Sequence, residues 1–167
     1  MYLCRPVPYS GRGTGMDIKI YDDVVDPKIM KETFMFLSHT FYSLKDDSWV
    51  RNNKDDIIVK PLYTALRNVC DVPSYESIAS VYTDLLRAGD RPSTVRSNSK
   101  SVNVFCINPE WSYEWGGEIV FYDDEEICRA IIPKPGRVIS FDGSIPYATR
   151  PPLLPSHRPR YNTVIEF

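Results

Sequence analysis

The feature that most constrains the fold is a series of short β-rich runs in the second half of the chain. They cover residues 78–86, 101–107, 118–122, 127–133, 137–141 and 161–167. Turn-forming pairs such as Gly89-Asp90, Asn108-Pro109 and Pro135-Gly136 separate them and predict chain reversals. The run at 78–86 is also compatible with a helix by its periodicity. Six or more short strands in succession predict a β-sandwich or jelly roll.

Two helices are predicted upstream of these runs. Asp26 followed by Pro27 is a typical helix start, because the carboxylate caps the backbone and proline suits the first turn. The first helix is predicted to bury an apolar face at helical spacing, made of Met30, Phe34, Leu37 and Phe41. The second is indicated by Pro61 and by the apolar spacing of Leu62, Leu66 and Val69. A charged loop is predicted between them at 45–56, and a short strand before them at 17–21.

Size and composition favour one domain. A chain of 167 residues with 43% hydrophobic content is long enough for one core and too short for two ordinary domains. We expect an α+β, mainly β, jelly-roll domain at residues 16–167, with the N-terminal helices packed on one sheet. The net charge of −2 provides no basic field, so we expect no general binding to nucleic acid.

Residues 1–15 are predicted to form an N-terminal arm. They contain three glycines and two prolines and show no periodicity. An arm of this composition has no core of its own, so we expect the domain surface or a neighbouring subunit to hold it. Its aromatic and basic residues are the candidate contacts with such a partner, namely Tyr2, Arg5, Tyr9 and Arg12.

The cysteines and the apolar segments bear on the compartment. Four cysteines lie far apart without a Cys-x-x-Cys pair, which predicts buried free thiols rather than a zinc or redox motif. The first residues lack the apolar stretch of a signal peptide, and no segment approaches the length of a membrane span. We therefore expect a protein that is not inserted in a membrane and not secreted by a standard signal.

A family resemblance is carried by four motifs in the last 60 residues. Asn-Pro-Glu-Trp at 108–111, Glu-Trp-Gly-Gly-Glu at 114–118, Pro-Lys-Pro-Gly-Arg-Val at 133–138 and Phe-Asp-Gly-Ser-Ile-Pro at 141–146 follow one another. In this order they resemble the prolyl 4-hydroxylase-like oxygenases that use 2-oxoglutarate and iron(II), including many encoded by bacteriophages. The resemblance implies a double-stranded β-helix.

The resemblance also implies three metal ligands, which this chain lacks. The His-x-Asp of the family aligns with Arg96-Ser97-Asn98, and the distal histidine aligns with Tyr147, directly after Ile145-Pro146. The exchange changes the charge at these positions from about −1 to about +1, which disfavours a dication. We therefore expect that Arg96, Asn98 and Tyr147 bind no metal, and that iron(II) and 2-oxoglutarate are no longer cofactors.

Other residues do not supply a replacement for these ligands. The chain has only two histidines. His39 is placed in the first helix by the pattern and favours a structural role, while His157 lies in a proline-rich loop. The acidic turn at 123–126 is predicted to be solvated.

One residue of the family's cosubstrate site is retained. Arg160 stands thirteen positions after Tyr147, where the family places the base that binds the distal carboxylate of 2-oxoglutarate. A guanidinium pairs with a carboxylate through two parallel hydrogen bonds. Arg160, together with Arg96, is therefore a candidate binder of 2-oxoglutarate or another small anion, and the alternative is that Arg160 pairs with a structural carboxylate.

Three functions follow from these residues and the resemblance. The leading hypothesis is a non-catalytic structural or interaction module with protein partners in a larger assembly, for example a tail or baseplate component of a phage virion. The alternatives are an active prolyl 4-hydroxylase-like dioxygenase and a module that binds a small anion. The first hypothesis places the protein in the virion or in the host cytoplasm.

Overall fold

Thirteen helices and strands are present in a computed structural model that describes residues 15–46, 48–95 and 97–167. In chain order they are β1 (Ile18–Tyr21), α1 (Pro27–Ser38), β2 (Ser43–Lys45), β3 (Ser48–Asn52), α2 (Val59–Arg67), β4 (Ser80–Leu86), β5 (Ser93–Val95), β6 (Ser101–Cys106), β7 (Ile119–Asp123), β8 (Glu126–Ile131), β9 (Val138–Asp142), β10 (Tyr147–Thr149) and β11 (Arg160–Glu166). Short 3₁₀ turns cover Tyr75–Ser77, Tyr113–Trp115 and Leu154–Ser156.

The strands form two antiparallel sheets. The larger sheet has the order β1-β9-β6-β11-β4-β3-β2, and the smaller has the order β5-β10-β7-β8. Neighbours in space are mostly distant in sequence, as they are when strands alternate between the two sheets of a jelly roll. The predicted fold class, mainly β with a double-stranded β-helix, is confirmed.

The space between the sheets is filled by an inner apolar core. Val104 and Ile139 of the larger sheet share one buried cluster with Ile119 and Phe121 of the smaller sheet. The ring of Phe121 packs edge-on against Phe141, with centroids 4.9 Å apart. The sheets therefore face each other and enclose a barrel interior, and this interior positions the site described below.

A second core lies on the outer face of the larger sheet. Leu37 of α1 and Leu62 and Leu66 of α2 are fully buried in one cluster with Phe105 and Ile165 of the sheet. The alternation of the strands explains this arrangement, since successive side chains point to opposite faces. The prediction that the N-terminal helices pack on one sheet is confirmed.

Helix α1 begins where the sequence predicts. The Asp26 carboxylate accepts a hydrogen bond from the backbone N–H of Lys28 at 2.8 Å, and Pro27 is the first helical residue. The prediction that Phe41 belongs to its buried face is wrong. The helix ends at Ser38, and Phe41 lies beyond it with 92% of its surface exposed.

Three further secondary-structure predictions are corrected or resolved. The segment 45–56 is not simply a loop, because β2 and β3 form a hairpin that pairs with β4 at the edge of the larger sheet. The run at 78–86 is a strand rather than a helix. Strands β5 and β10 were not predicted, since each is only three residues long.

The arm residues Tyr2, Arg5, Tyr9 and Arg12 lie outside the described residues, and so does Arg96. The partner-binding role of the arm therefore stays a prediction. Within the part of the chain that is described, no helix has the length and apolar character needed to cross a membrane.

Candidate functional site

A row of polar side chains lies on the inner face of the larger sheet. Strands β11 and β4 pair in antiparallel register, with Asn162 opposite Asp84, Val164 opposite Tyr82 and Glu166 opposite Ser80. Directly paired residues lie on the same face of a sheet. Val164 belongs to the inner core, so the paired residues on this face point into the barrel.

Arg160 is the most deeply buried charged residue of this row. It occupies the first position of β11, opposite Leu86, and only 1% of its surface is exposed. Among the described residues, none of its three guanidinium nitrogens has a hydrogen-bond partner of normal geometry, although the Cys106 side chain acts on the guanidinium as a weak acceptor would. Burial lowers the pKa of Arg160 from its usual value, while Cys106, Glu118 and Asp84 act in the opposite direction. No carboxylate forms a salt bridge with it within the described residues.

Asn162 is the next inward-facing residue on β11 and shares this property. It is fully buried, and neither atom of its side-chain amide has a partner. Asn53 and Asn103 are also buried, but each donates one hydrogen bond, from Asn53 to Thr83 and from Asn103 to the carbonyl of Ile165. Buried polar groups in proteins are nearly always paired. Arg160 and Asn162 are therefore the two residues with the greatest unmet hydrogen-bonding capacity.

The second glycine of the Glu-Trp-Gly-Gly-Glu motif, Gly117, makes room for Arg160. Gly117 has a φ of +78°, and a Cβ there would lie 3.2 Å from Cδ of Arg160 and 3.0 Å from the ring of Trp111. The indole N–H of Trp111 donates to the carbonyl of Gly116 at 3.0 Å, which fixes the ring. A side chain at position 117 would displace the guanidinium, so this motif shapes the wall around Arg160.

Asp84 is the acidic counterpart in the same row. Its surface is only 4% exposed, and burial raises the pKa of its carboxyl to about 7. The charge of Arg160 acts against that rise, and Glu166 adds to it. The Asp84 carboxyl therefore gains or loses its proton near neutral pH.

A cavity of about 670 Å³ opens next to this row. Lys45 and Asp46 of the β2–β3 hairpin, Asp84 of β4, Glu166 of β11 and Asn98 contribute to its lining. The Oγ of Ser80 donates to Glu166 at 2.5 Å and fixes that carboxylate at the wall. The cavity is polar. Its described lining carries three carboxyl groups, those of Asp46, Asp84 and Glu166, and one ammonium group, that of Lys45.

Two of the positions aligned with metal ligands, Asn98 and Tyr147, lie at or beside this cavity. Tyr147 of β10 pairs with Val95, the last residue of β5 and the residue before Arg96. Asn98 lies on the rim of the cavity and is exposed. The backbone of Ser99 approaches Gly143 so closely that a Cβ there would lie 2.0 Å from its carbonyl oxygen. This contact holds the segment 97–99 against the turn after β9.

The side chains at these positions do not suit iron(II). The hydroxyl of Tyr147 is 3.1 Å from that of Tyr82, and burial raises its pKa well above the usual value, so the phenol is neutral. A neutral phenol and an amide are poor ligands for this ion. Within 15–46, 48–95 and 97–167, no three His, Cys, Asp or Glu side chains are grouped so that they could hold a metal.

The two histidines lie elsewhere on the surface. His39 follows the last residue of α1 and bonds the carbonyl of Met35 at 2.8 Å. His157 is exposed at the end of the 3₁₀ turn Leu154–Ser156. The acidic residues at 123–126 form the exposed hairpin turn between β7 and β8.

Comparison of the fold with solved structures agrees with this topology. A prolyl-4-hydroxylase from Pseudomonas putida superposes with a TM-score of 0.61, at 10% identity and over 92% of both chains. The chain has the prolyl 4-hydroxylase fold. A 2OG-Fe(II) oxygenase family oxidoreductase from Burkholderia pseudomallei gives a TM-score of 0.63 at 11% identity, covering 89% of this chain and 82% of that one.

A third structure has a peptide bound. It is a prolyl hydroxylase from Trichoplax adhaerens in complex with a hypoxia inducible factor oxygen degradation domain peptide fragment, with a TM-score of 0.62 and 14% identity over 90% of this chain and 83% of that one. No protein-family model matches the chain, and no curated protein sequence does. At these identities the prolyl 4-hydroxylase fold is what the comparisons share.

The sequence interpretation identified Arg160 and missed its surroundings. Asn162, Asp84 and Glu166 were not predicted as site residues, and the predicted charge of about +1 counted none of the three. A strand reading of 78–86 would have identified Asp84, because period-two alternation places it on the same face as Tyr82. The pairing of Asp84 with Asn162 depends on the register between distant strands, which no local pattern predicts.

Proposed function

We propose that this protein has the oxygenase fold without the catalytic activity, and that it binds a small carboxylate-bearing molecule inside its barrel. Arg160 is the residue that would bind the carboxylate. The observation that supports the proposal most strongly is the full burial of Arg160 with no hydrogen-bond partner of normal geometry among the described residues. Holding an unpaired guanidinium inside a protein is costly. A bound carboxylate would offset that cost.

The chemistry of the two orphaned side chains suits a carboxylate. The planar guanidinium of Arg160 presents parallel N–H groups that match the two oxygens of a carboxylate. The amide of Asn162 can donate one further hydrogen bond to the same group or to its neighbour on the ligand. 2-Oxoglutarate fits this pair through one of its carboxylates, and Arg160 and Asn162 are the residues that would hold it.

The non-catalytic part of the proposal rests on the metal-ligand positions. Asn98 and Tyr147 stand where the resemblance places two of the three ligands, and the third position is Arg96. An amide, a neutral phenol and a guanidinium bring no negative charge to a dication. A role as an interaction module or as a phage virion component stays a prediction, since no feature of the barrel bears on it.

The test is a binding titration with a matched pair of variants. We expect 2-oxoglutarate, phosphate and sulfate to raise the melting temperature of the wild-type protein to different extents, with the carboxylate ligand most effective. Arg160→Met should abolish this effect, whereas Arg150→Met, which changes an exposed arginine, should retain it. Stabilisation that survives in Arg160→Met, or none in the wild type, would overturn the proposal.

A second measurement addresses catalysis. Protein prepared without oxygen and supplied with iron(II) should contain no stoichiometric iron and should not consume 2-oxoglutarate. A stoichiometric metal content together with turnover would make the protein an active dioxygenase instead.

A further inference from the structure

Charged residues of opposite sign follow one another along strands β4 and β11 on the inner face of the larger sheet. Asp84 lines the cavity, Asn162 lies opposite Asp84 in the strand pair, and Arg160 lies one inward-facing pair further along the same face. Of these three residues only Asp84 lines the cavity, so a ligand that moves from the cavity towards Arg160 meets the carboxylate of Asp84 first. A second carboxylate, Glu166, lines the cavity wall.

This order disfavours a ligand that carries only negative charge. A dicarboxylate bound to Arg160 would place its remaining charge toward Asp84 and Glu166, so it would be repelled by Glu166 and could bind beside Asp84 only in the protonated form of that carboxyl. A positive group on the ligand would turn the same contact into an attraction. A site of this kind is specific because it binds one ligand weakly as well as because it binds another tightly.

We infer that the ligand of this barrel is zwitterionic, with a carboxylate bound by Arg160 and Asn162 and an ammonium group bound by Asp84. This inference rests on the proposed function and names the chemical class of its ligand. The class is that of small amino acids.

The spacing of the strands limits the size of this ligand. Residues of one strand that face the same side are about 7 Å apart, since each residue advances the chain by about 3.4 Å. Asp84 is level with Asn162, so the backbone positions of Arg160 and Asp84 are separated by one such step along the barrel. A small amino acid is about as long as this step, whereas a peptide of several residues is longer.

The site also meets the hydrogen-bonding needs of both ligand groups. Arg160 and Asn162 have free donors for a carboxylate, and the Asn162 side-chain oxygen has no partner and can accept from an ammonium group. Asp84 exchanges a proton near neutral pH, and a neighbouring ammonium would favour its ionised form. An ion pair and its hydrogen bonds would then supply partners for Arg160 and Asn162, the two side chains of the site that are buried without them.

The decisive test compares 2-oxoglutarate with L-glutamate by isothermal titration calorimetry on the wild-type protein. The two molecules have the same carbon chain and both carboxylates, and differ in the ketone or ammonium group at the second carbon. We expect L-glutamate to bind more tightly by about tenfold or more, which corresponds to one charge-assisted contact. A second pair of the same chain length, 5-aminopentanoate and glutarate, should show the same order without a third charged group.

Variants separate this inference from the proposed function. Asp84→Asn should remove the preference for L-glutamate or reverse it, and Arg160→Met should abolish binding of both molecules. Equal or tighter binding of 2-oxoglutarate by the wild type would overturn the zwitterion inference and leave the carboxylate proposal standing. No binding of any of the four ligands would overturn both. The wild-type comparison decides the question even where Asp84→Asn does not fold.

Discussion

The hydroxyl groups of Tyr82 and Tyr147 lie 3.1 Å apart and connect the two sheets across the barrel. Tyr82 belongs to β4 of the larger sheet, and Tyr147 begins β10 of the smaller one. The resemblance places a metal-binding histidine at position 147. A hydrogen bond between two neutral phenols therefore lies at the position that the resemblance assigns to a metal ligand, and it joins the two sheets there.

Tyr82→Phe should lower the stability of the protein. The substitution leaves the buried hydroxyl of Tyr147 without its partner, which costs about 1–3 kcal/mol. We expect urea unfolding to show a loss of this size for Tyr82→Phe. The double variant Tyr82→Phe/Tyr147→Phe should lose less than the sum of the two single variants, because no unpaired hydroxyl is left. Tyr113→Phe, at an exposed position, serves as the control with a change below about 0.5 kcal/mol.

Asp84 should make the folded state less stable as the pH rises. Its pKa is about 7 in the folded protein and near 3.8 without the fold, so the native state holds a proton that the unfolded state has lost between these values. The stabilisation of the folded state by this proton is therefore complete below about pH 4 and is lost as the pH rises through 7. Relative to Asp84→Asn, the wild type should lose on the order of a few kcal/mol between pH 4 and pH 8. Parallel pH profiles of the two proteins would contradict this.

Asp22 provides a test with the opposite sign. Its carboxylate accepts hydrogen bonds from Arg137 at 2.6 and 3.0 Å and from Lys134 at 3.2 Å, and these partners, chiefly Arg137, lower its pKa. A lowered pKa stabilises the folded state above the unfolded value, and the gain is lost as the pH falls through the folded value. Asp22→Asn should therefore lower the free energy of unfolding by about 1 kcal/mol at pH 7, a modest loss because the pair is only partly buried. This loss should shrink as the pH is lowered below the unfolded value.

The fold was predictable where local patterns repeat. The Asp26-Pro27 pair and the apolar spacing of Met30 and Leu37 identify α1, and alternating runs identify β6 and β11. The hairpin of β2 and β3 was missed because its side chains are half-buried or exposed at a sheet edge, where the apolar pattern is weak. Such strands form because β4 offers a pairing partner, and that partner is distant in sequence.

The site was predictable only where one residue carries the chemistry. Arg160 could be identified from the family motif, since its position after Tyr147 is a matter of spacing. Its environment depends on the register of β11 against β4, which places Asn162 opposite Asp84. Register is set by tertiary packing and by turn geometry together. The acidic residues of the site, Asp84 and Glu166, therefore could not be placed beside Arg160 from the sequence.

Gly143→Ala should disturb the rim of the cavity. A Cβ at this position would lie 2.0 Å from the carbonyl oxygen of Ser99, so the segment 97–99 or the turn after β9 must move. We expect a loss of about 1–3 kcal/mol in the free energy of unfolding and weaker ligand binding. Gly15→Ala is the matched control, because no atom of the described residues lies within 4 Å of a Cβ at that position. An unchanged stability of Gly143→Ala would contradict the close contact.

Restoring the three ligands should give the barrel a metal site. The triple variant Arg96→His/Asn98→Asp/Tyr147→His replaces a guanidinium, an amide and a phenol by two imidazoles and a carboxylate, which is a ligand set that holds iron(II). We expect this variant to bind about one equivalent of manganese(II) in place of iron(II), measured by electron paramagnetic resonance, and the wild type to bind none.

A control variant isolates the contribution of position 147. Arg96→His/Asn98→Asp/Tyr147→Phe carries the first two changes without the third ligand, and it should bind manganese(II) at least about tenfold more weakly than the full triple variant. Because Tyr147 is buried, the melting temperature of each variant has to be compared before metal binding is measured. Equal metal binding by the two triple variants would mean that position 147 does not face the same site as positions 96 and 98. Metal uptake by the wild type would mean that its ligands are other residues, and either result would contradict the placement on which the non-catalytic proposal rests.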